Sequence, residues 1–484
     1  MPEYDPDFGN NGFLEFTNGV EHISKLKVLS DGKFYIMALY YPDQTPGNRI
    51  YYAYISRHLP DGSYDTSFGT GGMTVLYDYP RSFFSDFVLL PDQSVIAAFV
   101  QSVNWVYERS VVKLTPDGQL DTSFGANGFV NFGNGTITFQ PNGKLLVSDI
   151  NEQTGNTLVR RLLLDGSLDM SFGTQGVTEF VTPDTEEYVY QISILQNGDI
   201  LYLVTNLGNA YIAKTDADGH IIDAFGNHGI LDVQTPPDNR EGILRFLLTE
   251  QEDIVLTGSQ EISTGDMFGA GESMLVKYRA DGSLDTTFGN AGYIITDLTS
   301  GNSYGETAIL QPDGKIIQFI KSGYPMSASN GEDAYEGLAR FLPDGRLDMS
   351  FGTDGYFMQY YYSWQTFVFY DMQWHQGNNL LLVGVKGTSR HHGLIARIKN
   401  LYNTAAVSDS QDLSLRLYPN PAHNFLHIQS KLPVSQISIY TAAGRFIRQA
   451  EQTDIVNVSN LPTGIYLLYI ETEKGRIIKK FVKR

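Results

Sequence analysis

The residues of this 484-residue chain that could do acid–base chemistry are carboxylates in long loops between predicted strands. A glycosidase needs two carboxylates about 5–10 Å apart, and acids from different repeats of one fold could supply them. The candidate acids are Asp238, Glu241, Glu261, Asp266, Glu306, Glu332 and Asp333. Because the chain holds 54 Asp and Glu residues, solvated surface acids are the favoured interpretation and a catalytic pair is the alternative.

Two motifs for other kinds of chemistry are absent from the sequence. It contains no His-Glu-x-x-His and no phosphate-binding glycine loop. The lack of cysteine excludes disulfides, thiol catalysis and cysteine-ligated metals. The pair His391-His392 lacks a third ligand, and adjacent residues of an extended segment point to opposite sides. We therefore predict no catalytic residues, no metal site and no cofactor, and the sequence favours a protein that is not an enzyme.

Aromatic residues in the longest predicted loops are the candidate binding residues. Tyr and Trp side chains stack on sugars or anchor a protein partner, and variable loops on a rigid scaffold commonly carry binding. The candidates are Trp105, Phe268, Tyr324, Tyr335, Tyr361 and Trp364. Packing of these side chains beneath the loops is an equally weighted alternative.

The charge of the chain limits its partners. It has 34 Lys and Arg against 54 Asp and Glu, a net charge of −20, which opposes binding to nucleic acid phosphates. No apolar run approaches the roughly 20 residues that span a bilayer, so we expect no transmembrane segment. No signal peptide is recognisable, and we expect a mature form from which a leader has been removed.

A Phe-Gly motif recurs seven times and organises the chain. Each Phe is followed directly by Gly, and a second Gly stands four residues after the Phe. In six of the seven copies an Asp precedes the Phe by three residues, and the fifth copy, which belongs to the fourth repeat, has Ile222 there. The seven motif residues are Phe8, Phe68, Phe124, Phe172, Phe225, Phe288 and Phe351. We expect each Phe to be buried and each Asp to accept backbone hydrogen bonds in a turn.

A hairpin turn also recurs seven times between apolar runs, as in Pro312-Asp313-Gly314-Lys315. Each repeat thus contains four short antiparallel strands, which predicts an all-β, seven-bladed β-propeller. The chain begins with one motif and a fourth strand, and the seventh repeat lacks both. We therefore expect the N-terminal strand, residues 13–16, to complete the seventh blade and close the ring, which removes open sheet edges. A β-helix is the alternative fold.

The repeat resembles the delta-60 repeat family of secreted and surface bacterial proteins. The stretch Leu-Asp-Thr-Ser-Phe-Gly-Ala-Asn-Gly at 120–128 is close to the family pattern, and the resemblance covers residues 5 to about 402. The resemblance implies a structural unit and no catalytic residues.

The pattern stops after Tyr402. Residues 403–412 are polar and are interpreted as a linker. Residues 413–484 carry 10 Lys and Arg against 4 Asp and Glu, whereas the preceding part is strongly acidic, and this change indicates a separate domain. Short alternating strands predict a small antiparallel β-sandwich there.

Residues 413–484 resemble the type A C-terminal sorting domain of the type IX secretion system. The residues that carry the resemblance are Pro419, Asn420, Pro421, Gly444, Pro462, Gly464, Tyr466, Lys479 and Lys480. The resemblance implies export by the type IX machinery of a Bacteroidetes-type bacterium, followed by release or attachment to the cell surface.

Together these patterns predict three segments: a propeller at 1–402, the linker at 403–412 and the sorting domain at 413–484. The favoured function is a secreted or surface-displayed, monomeric binding module for a glycan, polymer or protein. The alternative is a carbohydrate-active hydrolase or lyase that uses carboxylates from different blades.

Overall fold

The computed structural model describes most of residues 1–484. The residues that it leaves undescribed are 43–49, 77–78, 104–105, 133–134, 152, 183–187, 206–208, 235–239, 263–269, 297, 299–302, 323–333, 362–366, 388–391, 402–414, 419–420, 431–432, 442–445, 451–453 and 473–474. All regular elements in the described part are β-strands, which confirms the predicted all-β class. Within that part no helix is long and apolar enough to cross a bilayer.

Seven sheets of antiparallel strands follow one another along the first part of the chain. We number them by the order of their first strands. Sheet 1 is β3 (Val20–Val28), β4 (Phe34–Tyr40), β5 (Tyr52–His58) and β6 (Met73–Val75); sheet 2 is β7 (Ser82–Leu89), β8 (Val95–Val103), β9 (Val106–Leu114) and β10 (Phe129–Val130). Sheet 3 is β11 (Ile137–Phe139), β12 (Leu145–Ile150), β13 (Thr157–Leu162) and β14 (Val177–Phe180); sheet 4 is β15 (Tyr188–Ile194), β16 (Ile200–Thr205), β17 (Ala210–Thr215) and β18 (Ile230–Asp232).

The remaining sheets repeat this order. Sheet 5 is β19 (Arg240–Leu248), β20 (Ile254–Ile262), β21 (Ala270–Tyr278) and β22 (Tyr293–Thr296); sheet 6 is β23 (Ser303–Leu310), β24 (Ile316–Ser322), β25 (Ala334–Phe341) and β26 (Tyr356–Tyr361). Sheet 7 is β27 (Phe367–His375), β28 (Asn379–Lys386) and β29 (His392–Lys399), joined by the N-terminal strands β1 (Glu3–Tyr4) and β2 (Phe13–Phe16).

The first strands of all seven sheets line one central cavity of about 530 Å³. Apolar clusters fill the space between neighbouring sheets, and one of them joins sheet 7 to sheet 1 through residues such as Val383, Ile395 and Phe34. Sheets that surround a common axis and pack on both neighbours form a propeller. The number of sheets agrees with the seven repeats.

The N-terminal strand closes the ring as the repeat phasing predicts. Phe13 pairs with Ala396 and Phe16 pairs with Gly393, so β2 takes the outer position of sheet 7. In sheets 1 to 6 the strand that follows each motif holds this outer position. The two ends of the propeller chain are therefore hydrogen-bonded to each other.

The chain divides into two compact units, Met1–Leu401 and Tyr402–Arg484. The second unit has a sheet of β30 (Leu415–Tyr418), β31 (Phe425–Ser430) and β34 (Ile455–Asn457), and a sheet of β32 (Val434–Thr441), β33 (Phe446–Gln449), β35 (Gly464–Thr472) and β36 (Gly475–Lys483). Leu426 and Val456 of one sheet share a buried core with Ile439 and Leu468 of the other. This arrangement is the predicted small sandwich. The predicted linker at 403–412 lies outside the described residues.

Candidate functional site

The Phe-Gly motif forms an ion-paired turn in six of the seven sheets. In sheet 1 the Nε atom of Arg57 lies 2.9 Å from Oδ2 of Asp65, and the guanidinium stacks 5.1 Å from the ring centre of Phe68. The other carboxylate oxygen of Asp65 accepts hydrogen bonds from the backbone and hydroxyl of Ser67. Equivalent pairs are Lys113–Asp121, Arg161–Asp169, Lys277–Asp285, Arg340–Asp348 and Arg397–Asp5. All seven motif Phe side chains are buried, with 0–3% exposure.

The same motif joins each sheet to the next. Arg57 donates from Nη1 to the carbonyl of Pro116 at 2.9 Å, and the N–H of Gly69 donates to the carbonyl of Asp117 at 2.6 Å. The ring of Phe68 lies against Gly118, which leaves no room for a side chain there. The charged groups of the motif therefore satisfy one another, and this face of the ring is structural.

The fourth repeat keeps the turn without the ion pair. Ile222 replaces the Asp, and its N–H still donates to the carbonyl of Lys214 at 3.1 Å. The nearby stretch Asp216-Ala217-Asp218-Gly219 superficially resembles a calcium loop. Oδ1 of Asp218 lies 3.1 Å from Nη2 of Arg161, and Oδ1 of Asp216 accepts a hydrogen bond from the backbone N–H of His220 at 2.9 Å. Both acids thus have protein partners.

Acids in the central cavity are also committed to the scaffold. Oδ2 of Asp371 accepts the backbone N–H of Leu26 at 2.9 Å, and Oδ1 lies 2.7 Å from Nη1 of Arg245. Oδ2 of Asp86 accepts the backbone N–H of Ile137 at 3.1 Å. The two bonds from backbone N–H groups tie neighbouring first strands together, whereas the Arg245 ion pair reaches from sheet 5 to sheet 7. Such saturated carboxylates are poor candidates for catalysis.

Among the described residues, a cleft opens on the opposite face. We call that face the variable-loop face, because it bears the connections from second to third strands and from fourth to first strands. The cleft lies between sheets 2 and 3 and measures about 800 Å³. Its lining residues are Tyr107, Glu108, Arg109, Ser110, Asn131, Phe132, Asp149, Ile150, Asn151, Gln153, Leu158 and Arg160.

The wall of the cleft that sheet 3 supplies is held in place by polar contacts. Nε of Arg160 lies 3.0 Å from Oδ2 of the buried Asp149, and its guanidinium stacks 5.0 Å from the ring centre of Phe132. The amide nitrogen of Asn151 donates to Oε1 of Glu179 at 3.2 Å and so anchors the loop above β13. This wall is pre-formed, so binding of a ligand costs little conformational entropy there.

The wall that sheet 2 supplies is exposed and incompletely paired. Val106 and Tyr107 begin β9 and are 64% and 60% exposed. The Nε atom of Arg109 is buried and has no hydrogen-bond partner. An aromatic ring, an unsatisfied guanidinium and nearby amides can together hold a polar ligand with flat surfaces.

The aromatic residues predicted from the sequence are only partly located. Trp105, Phe268, Tyr324 and Trp364 lie outside the described residues. Tyr335 of β25 pairs with Ser322, and Tyr361 of β26 pairs with Ala334, and for these two residues the structure describes the backbone alone. Their role in binding stays a prediction.

Among the predicted acids, Glu306 has a defined environment. It lines the central cavity and forms an ion pair with Lys321, and Lys321 lies opposite Glu336 in the ladder of β24 and β25. Burial raises the pKa of Glu336 to about 8, against the charge of Lys321, and Glu306 adds to the rise. Asp238, Asp266, Glu332 and Asp333 lie outside the described residues, and Glu241 and Glu261 are described by backbone alone.

Sequence reasoning missed the residues that form the cleft. The sequence around the cleft has the same pattern as the other predicted strands. It therefore does not single out Tyr107, Phe132 or Arg109. The available signal was the fourth strand of the second repeat, which continues for only two residues as Phe129–Val130. A short fourth strand leaves the third strand beside it uncovered, and this consequence can be inferred from pairing rules alone.

Several predicted sorting residues have structural roles in the second unit. The hydroxyl of Tyr466 donates to the carbonyl of Pro462 at 2.7 Å, and its ring packs on Phe481 with centres 5.5 Å apart. Gly464 pairs with Lys483 at the start of the ladder that also contains the backbones of Lys479 and Lys480. Pro421 is exposed. Three others lie outside the described residues: Pro419, Asn420 and Gly444.

Two family models match the chain at the places where it resembles known families. The model described as "Secretion system C-terminal sorting domain" matches residues 416–484. The model described as "Domain of unknown function (DUF5122) beta-propeller" matches residues 95–124, 140–172 and 263–288. The chain therefore combines β-propeller repeats of this kind with a C-terminal sorting domain for secretion.

Comparisons with individual proteins add only distant likenesses. No curated protein matches the chain. Similar solved structures include the polysaccharide lyase Uly1, at 11% identity over 81% of this chain and 99% of that one, with a TM-score of 0.42. Others are the β-propeller domain of the Trilobed protease from Pyrococcus furiosus (10%, 83% and 95%, TM-score 0.33) and the NanB sialidase from Streptococcus pneumoniae (10%, 79% and 68%, TM-score 0.37).

Proposed function

We propose that this secreted protein acts outside the cell as a binding module, and that its ligand occupies the cleft between sheets 2 and 3. The observation that carries the proposal is the cleft itself, with its exposed Tyr107 and its pre-formed wall of Phe132, Arg160 and Asp149. The sorting domain delivers such a module to the surface or the medium, where a glycan, polymer or protein is accessible.

The rest of the ring supports this proposal by contrast. The motif face uses its charged groups to join neighbouring sheets, and Asp371 and Asp86 of the central cavity accept bonds from backbone N–H groups. Among the described residues, the cleft combines exposed aromatic surface with Arg109, whose buried Nε has no partner. Unsatisfied polar atoms beside apolar surface are typical of ligand sites.

A binding screen with two matched variants tests this function. The full chain is screened against glycans and outer-surface proteins, and each hit is measured again with Tyr107→Ala and with Tyr188→Ala. Both residues are exposed tyrosines in strands of the ring, and only Tyr107 lines the cleft. We expect Tyr107→Ala to weaken binding by about tenfold, since a stacked aromatic ring contributes about 1.5 kcal/mol. Equal affinities of both variants would rule out the cleft.

A carbohydrate-active hydrolase or lyase is the second candidate. The observation that favours it is the pair of acids Glu306 and Glu336 around Lys321, because a carboxyl group with a pKa of about 8 is protonated at neutral pH and can act as a general acid. Turnover of a polysaccharide that is abolished by Glu336→Gln and by Glu306→Gln would establish this activity. Turnover unaffected by either change would exclude these residues as the catalytic pair.

A further inference from the structure

The third strand of sheet 2 is longer than the strand that covers it. β10 pairs with β9 only at Val111 and Val112, whereas β8 pairs with β9 from Val106 to Leu114. Within the described part of the chain, residues 106–110 therefore form an edge of the sheet. In sheet 3, by contrast, the fourth strand covers the third as far as its first residue, Thr157.

The backbone of this edge presents its bonding groups outwards. The N–H of Lys113 donates to the carbonyl of Gly128, and its own carbonyl accepts from Asp121, so Lys113 faces the outer side of the sheet. Bonding direction alternates along an antiparallel strand, so Arg109 and Tyr107 face the same side as Lys113. Within the described part of the chain, no hydrogen bond satisfies the N–H and carbonyl groups of these two residues.

The spacing of these groups selects one kind of ligand. Tyr107 and Arg109 lie two residues apart, so their bonding pairs repeat at about 6.7 Å along the strand. An extended polypeptide presents N–H and carbonyl pairs at the same spacing and can satisfy both residues at once. The edge lies within the cleft, because residues 107–110 all line it, so an added strand would have walls on both sides.

The charges beside the edge define the ligand further. Glu108 and Arg109 form no ion pair with any other described residue, and the Nε atom of Arg109 is buried without a partner. Opposite charges at facing positions of neighbouring strands stabilise the pair. A strand with a cationic residue opposite Glu108 and an acidic residue opposite Arg109 therefore complements this edge.

We propose that the cleft binds an extended polypeptide segment, which adds a strand to sheet 2 along residues 106–110. This inference rests on the proposed function of the cleft and names its ligand class. Main-chain hydrogen bonds to Tyr107 and Arg109 supply affinity, and the side chains of Glu108, Arg109 and Phe132 select the sequence.

A defined peptide tests strand addition directly. The probe is a short fluorescein-labelled peptide of alternating Thr and Val with a central Glu-Lys pair, which meets Arg109 and Glu108 in antiparallel register. Its control is the same peptide N-methylated at the residues that would bond Tyr107 and Arg109. We expect N-methylation to weaken binding to the full-length protein at least about tenfold in fluorescence anisotropy, because it removes N–H donors and adds bulk.

Two variants of the protein separate backbone from side chain. Arg109→Pro removes an N–H that faces the open edge, and proline is accepted at such edge positions because no bond to β8 is lost. Arg109→Ala removes the guanidinium and keeps the N–H. We expect Arg109→Pro to lower the affinity for the peptide at least about tenfold relative to the unaltered chain. Arg109→Ala should lower this affinity less.

The outcomes distinguish this inference from the function on which it rests. Loss of affinity with both N-methylation and Arg109→Pro supports strand addition. Equal binding of the two peptides, or no peptide binding at about 1 mM, overturns it. If the peptide fails while a glycan binds and Tyr107→Ala weakens that glycan, the cleft is a binding site for sugars and only the strand-addition inference is wrong. If the peptide fails and no ligand depends on Tyr107, both proposals are wrong.

Discussion

The guanidinium of Arg397 lies 2.8 Å from the carboxylate of Asp5, and this ion pair joins the last strand of the propeller to its first motif. Arg397 also donates to the carbonyl of Pro60 in sheet 1 at 2.8 Å and stacks 4.5 Å from the ring centre of Phe8. Arg57 makes the equivalent contacts between sheets 1 and 2. The ring thus closes with the same joint that connects its internal sheets.

Breaking the closing joint should release the N-terminal strands. Asp5→Asn removes the negative charge that pairs with the buried Arg397. Asp65→Asn removes the negative charge that pairs with Arg57 and serves as the internal control. Each change should lower the free energy of unfolding by about 3 kcal/mol in urea titrations. Limited proteolysis should cut near strands β1 and β2 in Asp5→Asn alone, because only there does the joint hold strands that pair with a distant part of the chain. Identical cleavage of the two variants would show that Asp5 has no special part in closure.

Alanine substitutions at two glycines distinguish the cost of steric packing in the motif from the cost of backbone strain. Gly118 and Gly143 have φ angles of +82° and +83°, so alanine is strained at both. A Cβ at Gly118 would lie 2.7 Å from the N atom of Gly69 and 2.9 Å from the ring of Phe68, whereas at Gly143 it would meet no atom within 4 Å. We expect Gly118→Ala to destabilise the protein by about 1–3 kcal/mol more than Gly143→Ala in chemical unfolding. Equal costs would mean that the joint between sheets adapts freely.

Stability should fall on acidification in two steps. Burial lowers the pKa of His58 to about 4, although its hydrogen bond to the carbonyl of Gly62 opposes the shift. The unfolded chain therefore binds a proton that the folded chain excludes, and stability falls between pH 6.5 and pH 4 by up to about 3 kcal/mol. The second step, at lower pH, is the protonation of Asp348. Burial opposes ionisation of Asp348, but bonds from Ser350 and Lys315 lower its pKa to about 2, so its contribution is lost below pH 4.

His58→Leu checks the first step, because leucine occupies the equivalent position 114 in the second repeat. Unfolding free energies of the variant should change less between pH 6.5 and 4 than those of the unaltered chain. A residual slope should come from His375, whose pKa burial also lowers. A variant whose stability falls as steeply as before would contradict the assignment to His58.

Export should depend on the second unit. A chain that ends at residue 412 lacks the sorting domain and should accumulate in the periplasm, which cell fractionation would show. The propeller has its own core, so the truncated chain should retain its thermal unfolding transition. Normal surface delivery of the truncated chain would overturn the sorting role of this domain.

The fold could be predicted largely from the sequence because its signals are local and repeated. The seven motif Phe residues predicted the ring. The N-terminal strand Phe13–Phe16, which has no first three strands before it, predicted how the ring closes. A cation stands eight residues before every motif Asp except Asp5, as Arg57 does before Asp65, and this recurring signal was missed. The cleft was not predictable by motif searching, because it arises where a two-residue strand, Phe129–Val130, leaves β9 uncovered beside sheet 3.

The most direct test of the cleft is whether bound ligand protects a single thiol placed there from labelling by maleimide. The chain has no cysteine, so Tyr107→Cys and Tyr188→Cys each carry one thiol, inside the cleft and outside it. With the ligand from the binding screen at about ten times its Kd, maleimide labelling of Tyr107→Cys should slow about tenfold while that of Tyr188→Cys is unchanged. Equal labelling rates at the two positions, with ligand demonstrably bound, would contradict a binding role for the cleft.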